Sequence, residues 1–305
     1  MNRSPLTRRA FGALSALSAA AVCVPAVLQA AQADGPALGP LTIAVGGQGV
    51  LYHLPLALAD QLGYFRAEGL DVQVRDYSAG ALALQAVQEG TADVCAGAFE
   101  HTIRQQVRGQ AYRSLVLLGR APQLALGVSL RALPSYKELP DLRGRRVGVS
   151  SVGSSTHLAA TLLLARAGMG PGDVTYVGVG SGVAAMNALR SGQVHALCHA
   201  DPLMTLLEQK ADTRIAGDMR SLKNAQDMLG GSMPAGCLYA PQAFVQKQPA
   251  QAQALANGIV HALKWLQTAA PADLGRRCRR ATSWATAACI WRPSAGCGKL
   301  IPPTA

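Results

Sequence analysis

A hydroxyl-rich run, Ser150-Ser151-Val152-Gly153-Ser154-Ser155-Thr156, separates the apolar stretch Val147-Gly148-Val149 from a helical pattern that starts at His157. Where a strand gives way to a helix, the first backbone N–H groups lack partners within the helix, and the helix dipole favours negative charge there. Gly153 lets the backbone approach a bound group closely, and Ser154, Ser155 or Thr156 can cap the helix or donate to a bound oxygen. Capping alone selects Ser and Thr, so the run by itself is equally an ordinary helix start. Repetition argues for more. Gly46-Gly47-Gln48 with Tyr52 and His53, Ser78-Ala79-Gly80, Gly97-Ala98-Phe99, Gly178-Val179-Gly180-Ser181 and His199-Ala200-Asp201-Pro202 stand at comparable junctions. The candidate ligand-binding set is Gly47, Gln48, Tyr52, His53, Ser78, Gly80, Gly97, Ala98, Gly153, Ser154, Ser155, Thr156, Gly180, Ser181, His199 and Asp201.

Several of these have structural alternatives. His53, just ahead of Pro55, either donates to an anionic ligand or caps the following helix. His199 forms a polar pair with Asp201 in a cleft, or a structural hydrogen bond. Asp201-Pro202 opens a helix, so Asp201 is first an N-cap. An acid that remained free there would suit an amine-bearing ligand better than bare nitrate or sulfate. Cys95, Cys198 and Cys237 have no metal-like spacing, and three cysteines cannot all pair. No nucleotide or metal fingerprint is present, so catalytic residues, metal ligands and cofactors are all expected to be absent.

The elements that must position these turns alternate. Leu41–Val45 reads as a strand, and Leu54, Leu58, Leu62 and Phe65 have helical spacing. Leu70, Val72 and Val74 alternate with polar residues as a half-buried strand. A helix from Gly80 to Gly90, a strand at 94–96, a helix from Glu100 to Arg108 and strands at 115–118 and 124–128 follow. After the connector 133–142 come a strand at 147–149, a helix ending at Gly168, a strand at 174–179, a helix from Val183 to Ser191 and a strand at 196–198. Alternation implies parallel sheets, and the connector implies two of them.

The stretches Leu58-Ala59-Asp60-Gln61-Leu62-Gly63-Tyr64-Phe65-Arg66-Ala67-Glu68-Gly69-Leu70-Asp71-Val72 and Leu139-Pro140-Asp141-Leu142-Arg143-Gly144-Arg145-Arg146-Val147-Gly148-Val149 resemble hallmarks of the sulfonate-, nitrate- and taurine-binding proteins of ABC importers. So does Ala188-Leu189-Arg190-Ser191-Gly192-Gln193-Val194-His195-Ala196. The same superfamily holds thiamine-pyrimidine synthases and pyrimidine-binding proteins. The resemblance, over about residues 41–272, implies an α/β, type II-like periplasmic binding fold: two α/β lobes with a ligand cleft between them. It places lobe 1 at 34–127 plus 239–274 and lobe 2 at 128–238, with 230–234 as the return crossover. It further implies a small polar or anionic ligand (sulfonate, nitrate, taurine or related) captured by lobe closure, and an ABC permease with its ATPase as partners of a monomer. A synthase-like or desulfinase-like enzyme is the alternative. The clustered cysteines of the first and the nucleophilic cysteine of the second have no counterpart at Gly46-Gly47-Gln48 or elsewhere in the body.

The ends of the chain read differently. Thr7-Arg8-Arg9-Ala10-Phe11, an apolar stretch to Leu28 and Ala31-Gln32-Ala33 form a twin-arginine signal peptide over residues 1–33, implying a periplasmic protein. No later stretch is apolar for the 18 or so residues of a membrane span. The formal charge of +11 comes mostly from these ends. Removing the three arginines before residue 34 and the six basic groups after residue 274 leaves +2, which gives no basic surface for a nucleic acid. Residues 275–305 hold two of three tryptophans and no acid. They read as a basic tail or as a frameshift product, since one codon choice for Ser283–Ala305 shifted by two nucleotides encodes a balanced helical pattern. A shifted frame would remove the last helix of lobe 1 and leave the fold poorly stable.

Overall fold

The computed structural model describes residues 37–234, 236–270 and 272–274. The expected signal peptide and the tail from residue 275, with its reading-frame question, lie outside the described residues.

Among the described residues, apolar alternation and buried runs build ten strands and the helices between them. In chain order they are β1 (Gly39–Gly46), α1 (Leu54–Gln61), α2 (Tyr64–Ala67), β2 (Leu70–Tyr77), α3 (Gly80–Gln88), β3 (Val94–Ala98), α4 (Glu100–Val107), β4 (Tyr112–Leu117) and β5 (Leu124–Ser129). Then follow β6 (Arg146–Val149), α5 (Ser155–Arg166), β7 (Thr175–Gly178), α6 (Val183–Arg190), β8 (Ala196–Ala200), α7 (Leu203–Gln209), β9 (Thr213–Met219), α8 (Leu222–Leu229), β10 (Gly236–Pro241), α9 (Gln242–Lys247) and α10 (Pro249–Thr268). A 3₁₀ turn at Leu51–His53 precedes α1. Among the described residues no helix is long and apolar enough to cross a membrane.

The strands form two five-stranded sheets, ordered β2-β1-β3-β10-β4 and β7-β6-β8-β5-β9. This is the α/β fold of two lobes that the sequence implied, with one correction. The sheets are mixed, not parallel: β10 runs antiparallel to β3 and β4, and β5 antiparallel to β8 and β9. The physical reason lies in the crossings. Leu124, the first residue of β5, pairs with Ala200 at the end of β8, and Gly236, the first of β10, pairs with Ala98 at the end of β3. Each strand that arrives from the other lobe therefore enters at the carboxyl ends of the parallel strands and must run against them.

The pairing also moves the expected boundaries. β5 lies wholly in the second sheet, so the chain crosses at 118–123 rather than after residue 127; β10 returns to the first sheet from Gly236, before residue 239. Gly230, at φ +77°, ends α8 and starts the return. In lobe 1, α10 packs Leu255, Ile259 and Ala262 against Leu41, Ile43 and Phe65. In lobe 2, Leu126, Val147 and Val149 pack against Ala160 and Leu163 of α5. Both crossings therefore open onto one edge, where the βα turns of the two sheets converge.

Candidate functional site

The turns of the two lobes meet directly. Leu51 N–H donates to the Asp201 carbonyl at 2.7 Å, and Ala81 N–H to Ser154 Oγ at 3.2 Å. The Arg104 guanidinium donates to the Gly153 carbonyl. A Cβ on Gly47 would lie 3.3 Å from Ser181 Oγ. Tyr52 and Ala98 of lobe 1 share an apolar cluster with Leu124, Val149 and Ala200 of lobe 2. Gly47, Gly153, Ser154, Ser181 and the neighbours of Tyr52, Gly80 and Asp201 thus stand face to face.

Many expected donors are engaged within the protein. Gly47, at φ +83°, donates its N–H to the Tyr77 carbonyl and to Asp76 Oδ1, and Gln48 N–H donates to the same carboxylate at 2.7 Å. Thr156 is buried inside its own loop, its Oγ1 accepting from Ser150 N–H at 2.9 Å. Gly153 N–H donates to His157 Nδ1 at 3.1 Å, and Gly180 N–H to the Ser150 carbonyl. Gly97 is not at the gap surface: a Cβ there would meet the Tyr239 hydroxyl and Cys95 Sγ. Ser78 is exposed, and Ser155 opens α5 half-buried.

Asp201 is not the N-cap of α7, which is Pro202, but from one residue outside it serves the start of that helix. Its Oδ1 accepts from Thr205 N–H and Oγ1 at 2.9 and 2.8 Å, and Arg220 stands 3.8 Å away. Arg220 is itself clamped by Asp218 at 2.8 Å and Glu208 at 3.3 Å. The alternative of a His199–Asp201 hydrogen bond is not realised. His199 Nδ1 accepts from Ala200 N–H at 2.9 Å, which leaves the proton on Nε2, buried and without a hydrogen-bond partner. His53 stands at the N-cap position of α1 but makes no capping bond; its ring is 3% exposed, packs edge-on against Tyr52 and has no partner for Nδ1.

Two residues that the sequence reading passed over as a helix start complete the lobe 1 side. Glu100 and His101 are the first residues of α4, immediately after the Gly97-Ala98-Phe99 turn. Both are buried, with Oε1 of Glu100 and Nε2 of His101 unpartnered. His101 Nδ1 lies 2.8 Å from the Tyr239 hydroxyl, supplied by β10. A Cβ on Gly80 would come only to 3.4 Å from His101 Cε1, so this glycine borders the ring. The signal that could have found them is position: they follow a βα turn already marked as part of the site.

Burial sets the ionisation. It pushes His53 and His101 down to about 4, with Arg104 adding to the effect on His101, and lowers His199 as well. It pushes the Glu100 carboxyl up to about 7, against the opposing pull of its own N–H and Arg104. Cys95, Cys198 and Cys237 are buried thiols pushed up to about 12, unsuited to act as thiolate nucleophiles. No group of three His, Cys, Asp or Glu among the described residues is arranged to hold a metal ion. The arrangement is a buried, aromatic and hydrogen-bonding floor in lobe 1 under a hydroxyl-rich lip from lobe 2.

Comparison with known proteins gives this geometry a context. A family model described as NMT1/THI5 like matches residues 50–272. A solved protein of Bordetella bronchiseptica RB50 is similar at 49% identity and TM-score 0.76, the match covering 78% of this chain and 75% of that one. The alkanesulfonate-binding protein SsuA of Xanthomonas axonopodis pv. citri, bound to MOPS, matches at 19% identity and TM-score 0.64 over 85% of each chain. The periplasmic nitrate-binding protein NrtA of Synechocystis PCC 6803 matches at 13% identity and TM-score 0.63, over 79% of this chain and 65% of that one. At such identities these two share the fold. The 4-amino-5-hydroxymethyl-2-methylpyrimidine phosphate synthase THI11 of Saccharomyces cerevisiae is 27% identical over 144 residues, 47% of this chain. The match spans only 42% of that synthase's length.

Proposed function

The chain belongs to the NMT1/THI5-like family, and from that membership and the facing turns we propose that it is the periplasmic solute-binding component of an ABC importer. The carrying observation is the set of direct contacts between turns of separate sheets: Leu51 with Asp201, Ala81 with Ser154, and Arg104 with Gly153. Ligands of open α/β sheets sit beyond the carboxyl ends of the strands, where these turns lie. A small polar solute held there bridges the lobes, and its binding energy favours the closed arrangement. Export by the twin-arginine segment would deliver the protein to the periplasm. Its partners would be a permease and that permease's ATPase. The structural neighbours named for periplasmic sulfonate and nitrate binding support this reading.

The test is a thermal-shift screen of the purified chain against sulfonates, nitrate, taurine, carboxylates and nitrogen heterocycles, followed by small-angle scattering with the best binder. A ligand at a hundred times its Kd stabilises the folded state by about 2.7 kcal/mol. The expected result is one stabilising class and a more compact particle when it binds. Failure of every class to shift the melt overturns the reading. A second reading, a synthase acting on a pyrimidine precursor, is favoured by the curated relatives, which are pyrimidine phosphate synthases. Mass spectrometry of the bound compound after incubation separates the two: a binding protein returns it unchanged.

A further inference from the structure

Among the described residues, the buried side-chain atoms without a hydrogen-bond partner lie in the gap, at His53, Glu100, His101 and His199, and in the first crossing, at Gln123, with one exception. Thr213, 4% exposed, keeps Oγ1 unpartnered at the far end of lobe 2. β5 enters its sheet at Leu124, beside the cleft end of β8, and leaves it at Ser129, which pairs with Thr213. Directly opposed residues of an antiparallel pair present their side chains to one face. Ser129 lines a cavity of 230 Å³ on that face, together with Arg131, Leu189, Arg190, Ala211 and Asp212. A Cβ on Gly127, two residues before Ser129, would meet both Thr213 and Met204 of α7, which places Thr213 on the same side of the sheet.

The walls of this cavity are fixed by the backbone. Asp212 N–H donates to the Leu207 carbonyl at 2.9 Å, and Leu130 N–H to the Asp212 carbonyl at 3.1 Å. Arg190 gives Nε and Nη2 to Asp212 Oδ2 at 2.9 and 2.7 Å, so that carboxylate is already matched. Arg131 enters no ion pair among the described residues and reaches only the Arg190 carbonyl, at 3.4 Å. One guanidinium is therefore in excess. Ser129 Oγ accepts from Ala132 N–H at 3.2 Å, which leaves its proton to donate. The volume lies below the roughly 300–1,000 Å³ of pockets for drug-sized ligands, so the space suits a small ion. A planar guanidinium fork fits an oxyanion, and an unpartnered buried hydroxyl is costly until an acceptor meets it. We infer that this cavity is a second binding site, remote from the cleft, for one phosphate-type oxyanion. Arg131 pairs with the ion, and the hydroxyls of Thr213 and Ser129 donate to it. The ion joins the end of α6, the end of β5 and the turn before β9, and stabilises lobe 2 whatever the cleft holds.

The experiment titrates inorganic phosphate into the full chain by calorimetry and follows the thermal melt. Chloride at equal ionic strength is the control, since phosphate also stabilises proteins by its exclusion from their surfaces. The expected result is saturable one-to-one binding, with a rise in melting temperature that levels off. Arg131→Gln, at an exposed position, should weaken phosphate at least tenfold and leave the phosphate-free melt unchanged. Arg113→Gln, an exposed arginine of lobe 1, should change neither. Thr213→Val should act in two opposite directions. It should weaken phosphate severalfold and raise the melting temperature of the phosphate-free chain, because it removes a buried hydroxyl that has no partner. Absence of saturation, or undiminished binding in Arg131→Gln, overturns the inference. Should Thr213→Val not fold, Arg131→Gln decides alone.

Discussion

The two sides of the gap are built from the same kind of sequence and end in opposite states. On the lobe 2 side, the hydroxyls of Ser154 and Thr156 and the carboxylate of Asp201 all have protein partners, and His199 Nε2 is the exception. On the lobe 1 side, His53, Glu100 and His101 each keep an atom without one. A satisfied loop is rigid and indifferent to what it covers; an unsatisfied floor selects its occupant. On this view lobe 2 provides the closing surface and lobe 1 the discrimination. The sharpest way to break that division is to deform the lobe 1 side alone. A Cβ on Gly46 would sit 2.4 Å from the Gly80 backbone, so a side chain there must push the start of α3 away. Gly46→Val should destabilise the chain by roughly 1–3 kcal/mol and abolish cleft binding. Gly170→Val, with nothing within 4 Å and no left-handed backbone, should leave both melt and titration unchanged.

The floor also makes a pH signature that the closing loop lacks. Glu100 is held up at about 7 against an ordinary 4.5, so the folded state keeps its proton longer than the unfolded chain. Its contribution to stability is present below pH 4.5 and is lost as pH rises to about 7. His53 and His101, held down at about 4, act oppositely: their contribution is present above 6.5 and lost as pH falls to about 4. Glu100→Gln removes only the first effect. Its stability relative to the parent should therefore climb between pH 4.5 and 7, by at most about 3 kcal/mol, in urea unfolding at stepped pH. A flat difference would mean that Glu100 is solvated in the folded state, and the contrast between the lobes would lose its main member.

How far the sequence carries this picture depends on what kind of information each feature needs. The alternation of Leu70, Val72 and Val74 is local, and β2 appears there with one face buried. The strand directions are not local. Leu124–Ser129 reads as a buried strand, but whether it joins the first sheet or the second is decided by β8 and β9, some 70–90 residues later. β9 itself passed unread, because Thr213–Met219 carries Arg214 and Asp218 and its apolar period is broken. The site divides in the same way. The turns were visible as Gly and Ser clusters, while the engagement of Gly47 and Gln48 by Asp76 depends on strand pairing, β1 beside β2. Glu100 reads as an ordinary first-turn acid at a helix N-terminus. Only the return of β10, which brings Tyr239 beside His101, turns that helix start into a buried floor.

The smallest expected effect tests the closing surface itself. Ser154 occupies the N-cap position of α5 yet makes no capping bond to its own helix. Its Oγ instead accepts Ala81 N–H, one of the donors in the first turn of α3 that intrahelical bonding leaves over, and lies 2.8 Å from Ser151 Oγ. The cap of a lobe 1 helix is therefore lent by lobe 2 and exists only while the lobes touch. On the proposed parting of the lobes water would take over both groups, so Ser154→Ala should lower the stability of the unliganded chain by no more than about 1 kcal/mol. The same loss, felt in the closed state alone, should weaken ligand binding about fivefold, since each 1.4 kcal/mol is tenfold. A variant at Ser154 that lost stability but kept its affinity would make the shared cap a fixed part of the fold, and lobe 2 could no longer be separated from lobe 1 by what it contributes to binding.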